Sequence, residues 1–271
     1  GNAIPDTGTV TVTSPGILKL AGNETFGMID GTGAVNLQTN ALTLSGGTNG
    51  LLSGIISGGG SIQKSGMGQL TLSGANTFSG GATVSSGTVF VGNNAAFGTG
   101  TLTMSGGTVA SSGVAGAGDR VMTNGLSLGG SLTLGDGTNT GVLRFTGNGS
   151  VTAPLTLTTP SAVELTGVLS GAGSLTKLGA GPLTLSGTNT FSGGATVSAG
   201  PVYVANSSAF GTGVLTFGGG VVSSDSTSAR SVVNTLSIGG NITMGDATKN
   251  GVLNFTGDGT LTAPTTLTLN S

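Results

Sequence analysis

Two near-identical copies of one long segment make up most of the chain. Residues 70–89 read LTLSGANTFSGGATVSSGTV and residues 183–202 read LTLSGTNTFSGGATVSAGPV, so 17 of 20 positions are identical at a constant offset of 113. After a three-residue deletion the correspondence resumes at an offset of 110, where Arg120 matches Arg230. A solenoid accepts such a duplication without redesign, because each coil contacts only neighbouring coils that resemble it. The duplication therefore predicts a stacked repeat architecture.

A shorter rhythm of apolar–Thr–apolar triplets lies within each copy. In a strand, successive side chains point to opposite faces, so each triplet places two apolar side chains on one face and a threonine on the other. Clusters of Gly, Asn and Ser follow almost every triplet and indicate turns, and 56 glycines among 271 residues disfavour helix. The chain is therefore predicted to be all-β. The triplets begin at Leu42, Leu70, Leu102, Leu132, Leu155, Leu183, Leu215, Ile242 and Leu267.

Short strands at this spacing suit a sandwich, a barrel or a solenoid. The long-range similarity favours the solenoid, since the strands of a sandwich occupy distinct environments and need not resemble one another. We predict a single-stranded right-handed parallel β-helix of about ten to twelve coils, because the strict hexapeptide pattern of left-handed versions is missing. No linker separates the copies, so 1–271 is predicted to be one continuous β-solenoid. Its parts are initial coils at 1–50, a first repeat unit at 51–163 and a second at 164–271.

Composition argues against several classes of function. The chain has no Cys, His or Trp, which excludes Ser-His-Asp triads, Cys-His pairs and the usual zinc sites. Seven basic and nine acidic residues give a net charge of −2 without a basic patch for nucleic acid. No apolar run reaches the roughly 18 residues of a membrane span. We therefore expect no catalysis, no cofactor, no bound metal, no nucleic-acid partner and no membrane span in this chain.

A long glycine-spaced signature occurs once in each copy. In the first copy it consists of Gly58-x-Gly60-x-Ile62-x-Lys64-x-Gly66-x-Gly68, Leu70-Thr71-Leu72-Ser73-Gly74, Asn76-Thr77-Phe78-Ser79-Gly80 and Val84-x-x-Gly87-x-Val89. This signature resembles the passenger-associated β-strand repeat of bacterial autotransporters, and the segment from Gly171 to Val204 repeats it. The resemblance implies a right-handed β-helix, exported by bacteria that have an outer membrane and displayed outside the cell. Passengers of this kind are often adhesive or self-associating.

Three residue types in the signature are interpreted as structural. Lys64 and Lys177 occupy equivalent places between glycines, and we expect each to snorkel, with its stem covering the apolar start of a coil; a ligand contact is the alternative. Asn76 and Asn189 precede Thr-Phe and are expected to stabilise turns. Four phenylalanines are expected to pack in the core or over a corner, rather than form a binding strip for sugars or a partner: Phe78, Phe97, Phe191 and Phe210.

The acidic side chains are the only residues in the sequence that could support catalysis or bind a cation. A pair of carboxylates about 5–10 Å apart could hydrolyse a glycosidic bond, but Asp136 and Asp246 are equivalent copies several coils apart. The nonapeptide spacing of calcium-binding solenoids does not recur, and the Thr-x-Thr doublets are too irregular for an ice-binding face. We expect solvated turns for all of these acids: Asp119, Asp136, Asp225, Asp246 and Asp258.

We predict a non-catalytic extracellular β-solenoid that acts as a surface rod or as an adhesive, self-associating module. Its expected partners are copies of itself, neighbouring coils of a longer chain, or a host or cell-surface glycan or protein. The alternative is a complete subunit that stacks head to tail into a filament through unpaired strand edges. That pairing would use Val10 and Val12 at one end, beside a weak cap at Pro5, and Leu267 and Leu269 at the other. A polysaccharide-acting β-helix enzyme is a further alternative.

Overall fold

The computed structural model of the chain describes residues 6–249 and 251–270, which form strands, turns and loops without any helix. The predicted cap at Pro5 lies outside these residues. Parallel strands stack as the turns of a β-solenoid, about 13 in all, which is slightly more than the ten to twelve coils predicted. The all-β parallel fold is thus confirmed, and its right-handed sense stays a prediction.

Thirty-two strands follow one another along the described residues. The first sixteen are β1 Thr9–Val12, β2 Ile17–Lys19, β3 Glu24–Phe26, β4 Met28–Gly31, β5 Ala34–Asn36, β6 Ala41–Leu44, β7 Gly50–Leu52, β8 Ile56–Ser57, β9 Ser61–Lys64, β10 Gln69–Leu72, β11 Ala82–Val84, β12 Thr88–Val91, β13 Leu102–Met104, β14 Thr108–Ser111, β15 Arg120–Met122 and β16 Leu126–Leu134. The others are β17 Leu143–Phe145, β18 Gly149–Thr158, β19 Val163–Leu165, β20 Leu169–Ser170, β21 Leu175–Leu178, β22 Leu183–Leu185, β23 Ala195–Val197, β24 Pro201–Val204, β25 Leu215–Phe217, β26 Val221–Ser224, β27 Arg230–Val232, β28 Leu236–Ile238, β29 Ile242–Met244, β30 Leu253–Phe255, β31 Gly259–Leu261 and β32 Leu267–Leu269. All nine triplets lie within strands, as predicted.

The strands belong to two compact units. The first unit covers the chain up to Ser127 together with Thr138–Leu143, and the second covers Leu128–Gly137 and the chain from Arg144 onwards. The prediction of one continuous solenoid, with parts at 1–50, 51–163 and 164–271, stays a prediction.

In the first unit, three series of parallel strands run side by side. One series pairs β1 with β4, β7, β10, β12 and β14 in turn. A second pairs β3, β6, β9, β11 and β13, and a third pairs β2, β5 and β8. Along the second series Leu42, Ile62, Ala82 and Leu102 are register partners, so one turn takes 20 residues here.

The second unit repeats this arrangement with two long ladders. One pairs β18 with β21, β23, β25, β28 and β31, and the other pairs β19 with β22, β24, β26, β29 and β32. Shorter pairings join β18 to β20 and β27 to β30. Every one of these pairings is parallel, which is how successive turns of a solenoid meet.

Register places apolar residues above one another inside each unit. Leu42, Ile62, Ala82 and Leu102 form one such column, and each is at most 5% exposed. Stacking like residues in this way removes a continuous apolar surface from water. The core prediction for the phenylalanines is confirmed, because all four are at most 1% exposed: Phe78, Phe97, Phe191 and Phe210.

One corner of each copy requires glycine. Gly98 has φ +61° and its counterpart Gly211 has φ +68°, a left-handed conformation that side chains disfavour. A Cβ at Gly98 would also overlap the carbonyl oxygen of Phe78 on the preceding turn. The turn-to-turn spacing therefore depends on a bare backbone at this corner.

We predict that Gly98→Ala lowers the free energy of unfolding by about 3 kcal/mol, from left-handed strain and from displacement of the neighbouring turn. Gly47→Ala is the matched control, since nothing lies within 4 Å of a Cβ there. The control should be neutral or stabilising by up to about 1 kcal/mol. Urea denaturation measures both, and equal midpoints for the two variants would contradict the close-approach argument.

Candidate functional site

The two signature lysines lie inside the solenoid. Lys64 on β9 stands in the inward column between Leu44 and Val84, and Lys177 on β21 stands between Leu157 and Val197 in the equivalent column. Each lysine is only 1% exposed. The snorkelling interpretation is therefore wrong, because a snorkelling side chain keeps its charged end in water.

Backbone carbonyl groups accept hydrogen bonds from both ammonium groups, three for Lys177 and one for Lys64. Lys177 Nζ donates to the carbonyl oxygens of Leu178 at 2.9 Å, Gly179 at 2.9 Å and Ala199 at 3.1 Å. Lys64 Nζ donates to the carbonyl oxygen of Gly66. Three N–H donors directed at three carbonyls satisfy all the hydrogen-bonding capacity of an ammonium group. Each lysine thus connects its own strand to the turn that follows it, and Lys177 also connects its strand to the next coil.

Burial also weakens the protonated form of both lysines. It lowers the pKa of Lys177 from 10.5 to about 8 and lowers the pKa of Lys64 in the same direction, because a charged group is disfavoured in a low-dielectric interior. The cavity beside each lysine measures about 10 Å³, which is no more than one water molecule occupies. The surroundings of the two lysines therefore have no room for a ligand, and the lysines contribute to the structure of the fold.

The signature glycine near each lysine makes room for it. Gly200 has φ +69°, and a Cβ there would lie 3.1 Å from Lys177 Nζ and would overlap the carbonyl oxygen of Gly179. Gly87 also has φ +69° and lies against Lys64 Nζ in the same way. The Val-x-x-Gly part of the signature therefore places a glycine at the corner against which the ammonium group packs.

The two signature asparagines bridge three successive turns. Asn76 Oδ1 accepts from the N–H of Ile56 at 2.8 Å, while its Nδ2 donates to the carbonyl oxygen of Ala96 at 2.7 Å. Asn189 makes the same pair of bonds to Leu169 and Ala209 at 2.8 and 2.7 Å. Each asparagine is 2% exposed. Their structural role agrees with the sequence interpretation, but it acts between turns rather than within one.

Sequence reasoning missed a second pair of buried asparagines. Asn124 Nδ2 donates to the carbonyl oxygens of Gly98 at 3.1 Å and Gly100 at 2.7 Å. Asn234 bonds Gly211 and Gly213 at the same two distances. The duplication contained a signal for this pair, because Asn124 and Asn234 occupy corresponding positions at the offset of 110. An asparagine retained in both copies beside apolar residues marks such a bridge.

The acidic side chains stabilise local structure. Asp119 Oδ1 accepts from the N–H groups of Gly116 and Val142 at 2.9 and 2.8 Å. Asp246 accepts from the Tyr203 hydroxyl at 3.2 Å and from the Thr248 N–H at 2.8 Å, and the bonds from Thr248 are the main reason that its pKa is lowered. Within residues 6–249 and 251–270, no three acidic side chains gather in a group able to hold a metal ion.

The residues predicted to pair end to end differ in exposure. Val12 is buried at 8% exposure and Val10 is half-buried, whereas Leu267 and Leu269 are 51% and 73% exposed. Among the described residues, β1 pairs with β4 and β32 pairs with β29. Their role in stacking stays a prediction. The described residues contain no helix that is long and apolar enough to cross a membrane.

Comparisons with known proteins agree with this geometry. The family model of the passenger-associated-transport-repeat matches residues 62–89 and 175–201, which contain the buried lysines. The adhesin BmaC autotransporter of Brucella suis biovar 1 (strain 1330) is 34% identical over 200 residues. That alignment covers 73% of this chain and spans 5% of the length of the adhesin. No solved structure matches the chain.

The burial of Lys177 predicts a pH dependence of stability. Between pH 8 and 10.5 the unfolded lysine binds a proton that the folded one releases, so the free energy of unfolding rises with pH in this window. We expect an increase of about 2 kcal/mol from pH 8 to 9.5, read from urea midpoints. The window stays below the titration of Tyr203, whose pKa is raised by burial and by Asp246.

Lys177→Met is the control for this pH dependence, because it removes the titrating group and keeps an unbranched side chain in the column. The free energy of unfolding of this variant should vary less with pH than that of the wild type. Lys64 accounts for the pH dependence that remains. A wild-type protein whose stability is flat from pH 8 to 9.5 would contradict the buried, proton-releasing lysine.

We predict that Asn76→Ala lowers the free energy of unfolding by about 3 kcal/mol, because the Ile56 N–H and the Ala96 carbonyl lose their partner. Asn254→Ala is the control, since Asn254 is exposed and its loss should change stability by less than about 0.5 kcal/mol. Thermal denaturation followed by circular dichroism compares the two. Similar losses would show that Asn76 does not bridge turns in solution.

Proposed function

We propose that this chain, which carries the passenger-associated-transport-repeat and is similar to an autotransporter adhesin, is a segment of an autotransporter passenger. In this proposal it serves as a non-catalytic, extracellular β-solenoid segment that associates with copies of itself through one face. The passenger repeat and the similarity to an adhesin support display on the outer cell surface. The chain spans about 5% of the length of that adhesin, so the proposal concerns this segment and not the whole relative.

A column of outward hydroxyl groups carries this proposal. On the first ladder of the second unit, the residues that face outwards occupy the same register on six successive strands. Neighbouring strands lie about 4.8 Å apart, so the hydroxyl groups repeat regularly along the face. We name this column the hydroxyl ladder, and it consists of Thr156, Thr176, Thr196, Thr216, Ser237 and Thr260.

The chemistry of the ladder suits a second copy of the same face. A hydroxyl group both donates and accepts hydrogen bonds, so two identical ladders related by a twofold axis are complementary. The outward residues of these six strands carry no charge, and the net charge of the chain is only −2. Neither long charged side chains nor strong repulsion oppose contact between two such faces.

Head-to-tail stacking is the second candidate mode of association, and it would use Leu267 and Leu269, which are 51% and 73% exposed. Both leucines lie on β32, whose outer edge has no strand partner among the described residues. A parallel strand of another copy would satisfy that edge and cover the leucines.

One experiment separates the two modes of association. Thr196→Lys places a charge in the middle of the hydroxyl ladder, and in a twofold interface the two new charges approach each other. We expect sedimentation velocity to show oligomers of the wild-type protein and at least tenfold weaker association of the variant. Thr184→Lys, on the other long ladder of the same unit, is the control and should associate like the wild type.

Leu267→Lys with Leu269→Lys tests stacking in the same measurement. Loss of association in this double variant alone would replace the lateral mode by the head-to-tail mode. A wild-type protein that stays monomeric at every concentration would overturn the proposal of self-association.

A further inference from the structure

An arginine at one corner of the first unit carries a charge that the fold does not neutralise. Arg120 Nη1 donates to the carbonyl oxygens of Ala117 at 3.1 Å and Asp119 at 2.7 Å. The Asp119 carboxylate itself accepts from backbone N–H groups. No carboxylate oxygen lies within 4.0 Å of the guanidinium in the part of the chain that the structure describes. Both printed bonds of the guanidinium come from Nη1, and Nη2 donates no hydrogen bond within the same described residues.

The space beside this arginine offers hydrogen-bond donors. A cavity of about 260 Å³ is lined by Gly92, Asn93, Asn94 and Arg120, which we name the Arg120 niche. Asn93 Oδ1 accepts from the Ala95 N–H at 2.9 Å, and Asn94 Oδ1 accepts from the Val121 N–H at 3.0 Å. Because both amide oxygens are engaged, the two Nδ2 groups remain as donors. A cationic niche lined with donors is suited to an anion.

In the second copy the equivalent arginine pairs with a carboxylate. Arg230 Nη2 donates to Asp225 Oδ1 at 3.0 Å, forming an ion pair. Asp225 corresponds to Ser112 at the offset of 113, and Asp119 beside Arg120 corresponds to Ala229 at the offset of 110. Each corner therefore has one acidic residue, at a different place in the loop. The buried Nε–H group lacks a partner in both arginines. The two arginines thus share a buried Nε–H group without a partner. They differ because only Arg230 forms an ion pair with a carboxylate of the described residues.

We propose that the Arg120 niche binds the carboxylate or sulfate group of an acidic sugar. The lining contains no apolar side chain, which a peptide partner would need for burial, whereas amide and guanidinium donors match sugar hydroxyl and acid groups. The volume lies below the roughly 300–1,000 Å³ of sites for larger ligands, so it suits a single sugar unit. This goes beyond self-association, since it concerns a different face and a different unit.

Calorimetric titration tests the niche with three tetrasaccharides: a polyuronate, a sulfated one and a neutral one. The titrations use the Thr196→Lys protein, so that failure of sugar binding is distinguishable from failure of self-association. We expect one site per chain for the polyuronate, the sulfated sugar or both, weakening as salt rises, and no binding of the neutral sugar. The two acidic arms show which anionic group the niche prefers.

Substitutions locate the site. Arg120→Gln should weaken binding at least tenfold while circular dichroism stays unchanged. Lys19→Gln removes an exposed charge elsewhere and should bind like the parent.

Three results would overturn the proposal. Unchanged affinity in Arg120→Gln would place the sugar elsewhere, and equal binding of the neutral tetrasaccharide would remove the role of the anion. Competition by inorganic sulfate at the same affinity would reduce the niche to an ion site and also count against it.

Discussion

Parallel hydrogen bonding between a strand and the strand one turn later is the interaction on which the rest of this structure depends. It fixes the register, so that Leu42, Ile62, Ala82 and Leu102 stack in one column. Because the side-chain period of a strand is two, the same register also sets which residues face water. The apolar core, the buried polar groups and the hydroxyl ladder are three consequences of this one constraint.

A stacked backbone also explains why polar residues lie in the core. Each turn presents carbonyl and N–H groups at the same height as its neighbours, so an inward polar side chain meets partners on adjacent turns. Asn76 uses one group on the turn before and one on the turn after, and Lys177 binds three carbonyls. Buried polar groups that are satisfied in this way hold turns together at defined corners.

The duplication gives two copies whose differences are informative. The core pattern, the lysine and both asparagines recur, because each stabilises contact between turns. The outer corners have diverged. Arg230 pairs with Asp225, whereas the first copy has Ser112 at the position of that acid, and Arg120 pairs with no carboxylate among the described residues. Residues inside the stack are constrained by neighbours on both sides, while outward residues are free to acquire ligand contacts.

The sequence by itself determined the all-β repeat fold, the nine triplet strands and the burial of the phenylalanines. Strand periodicity and duplication can be recognised along the chain without knowledge of its three-dimensional contacts. It did not determine that Lys64 and Lys177 are buried, since alternation leaves open which strand neighbours accept an ammonium group. Asn124 and the Arg120 niche depend on residues about 20 or more positions apart. Only the register of successive turns brings those groups together, and that register is a property of the stacked structure as a whole.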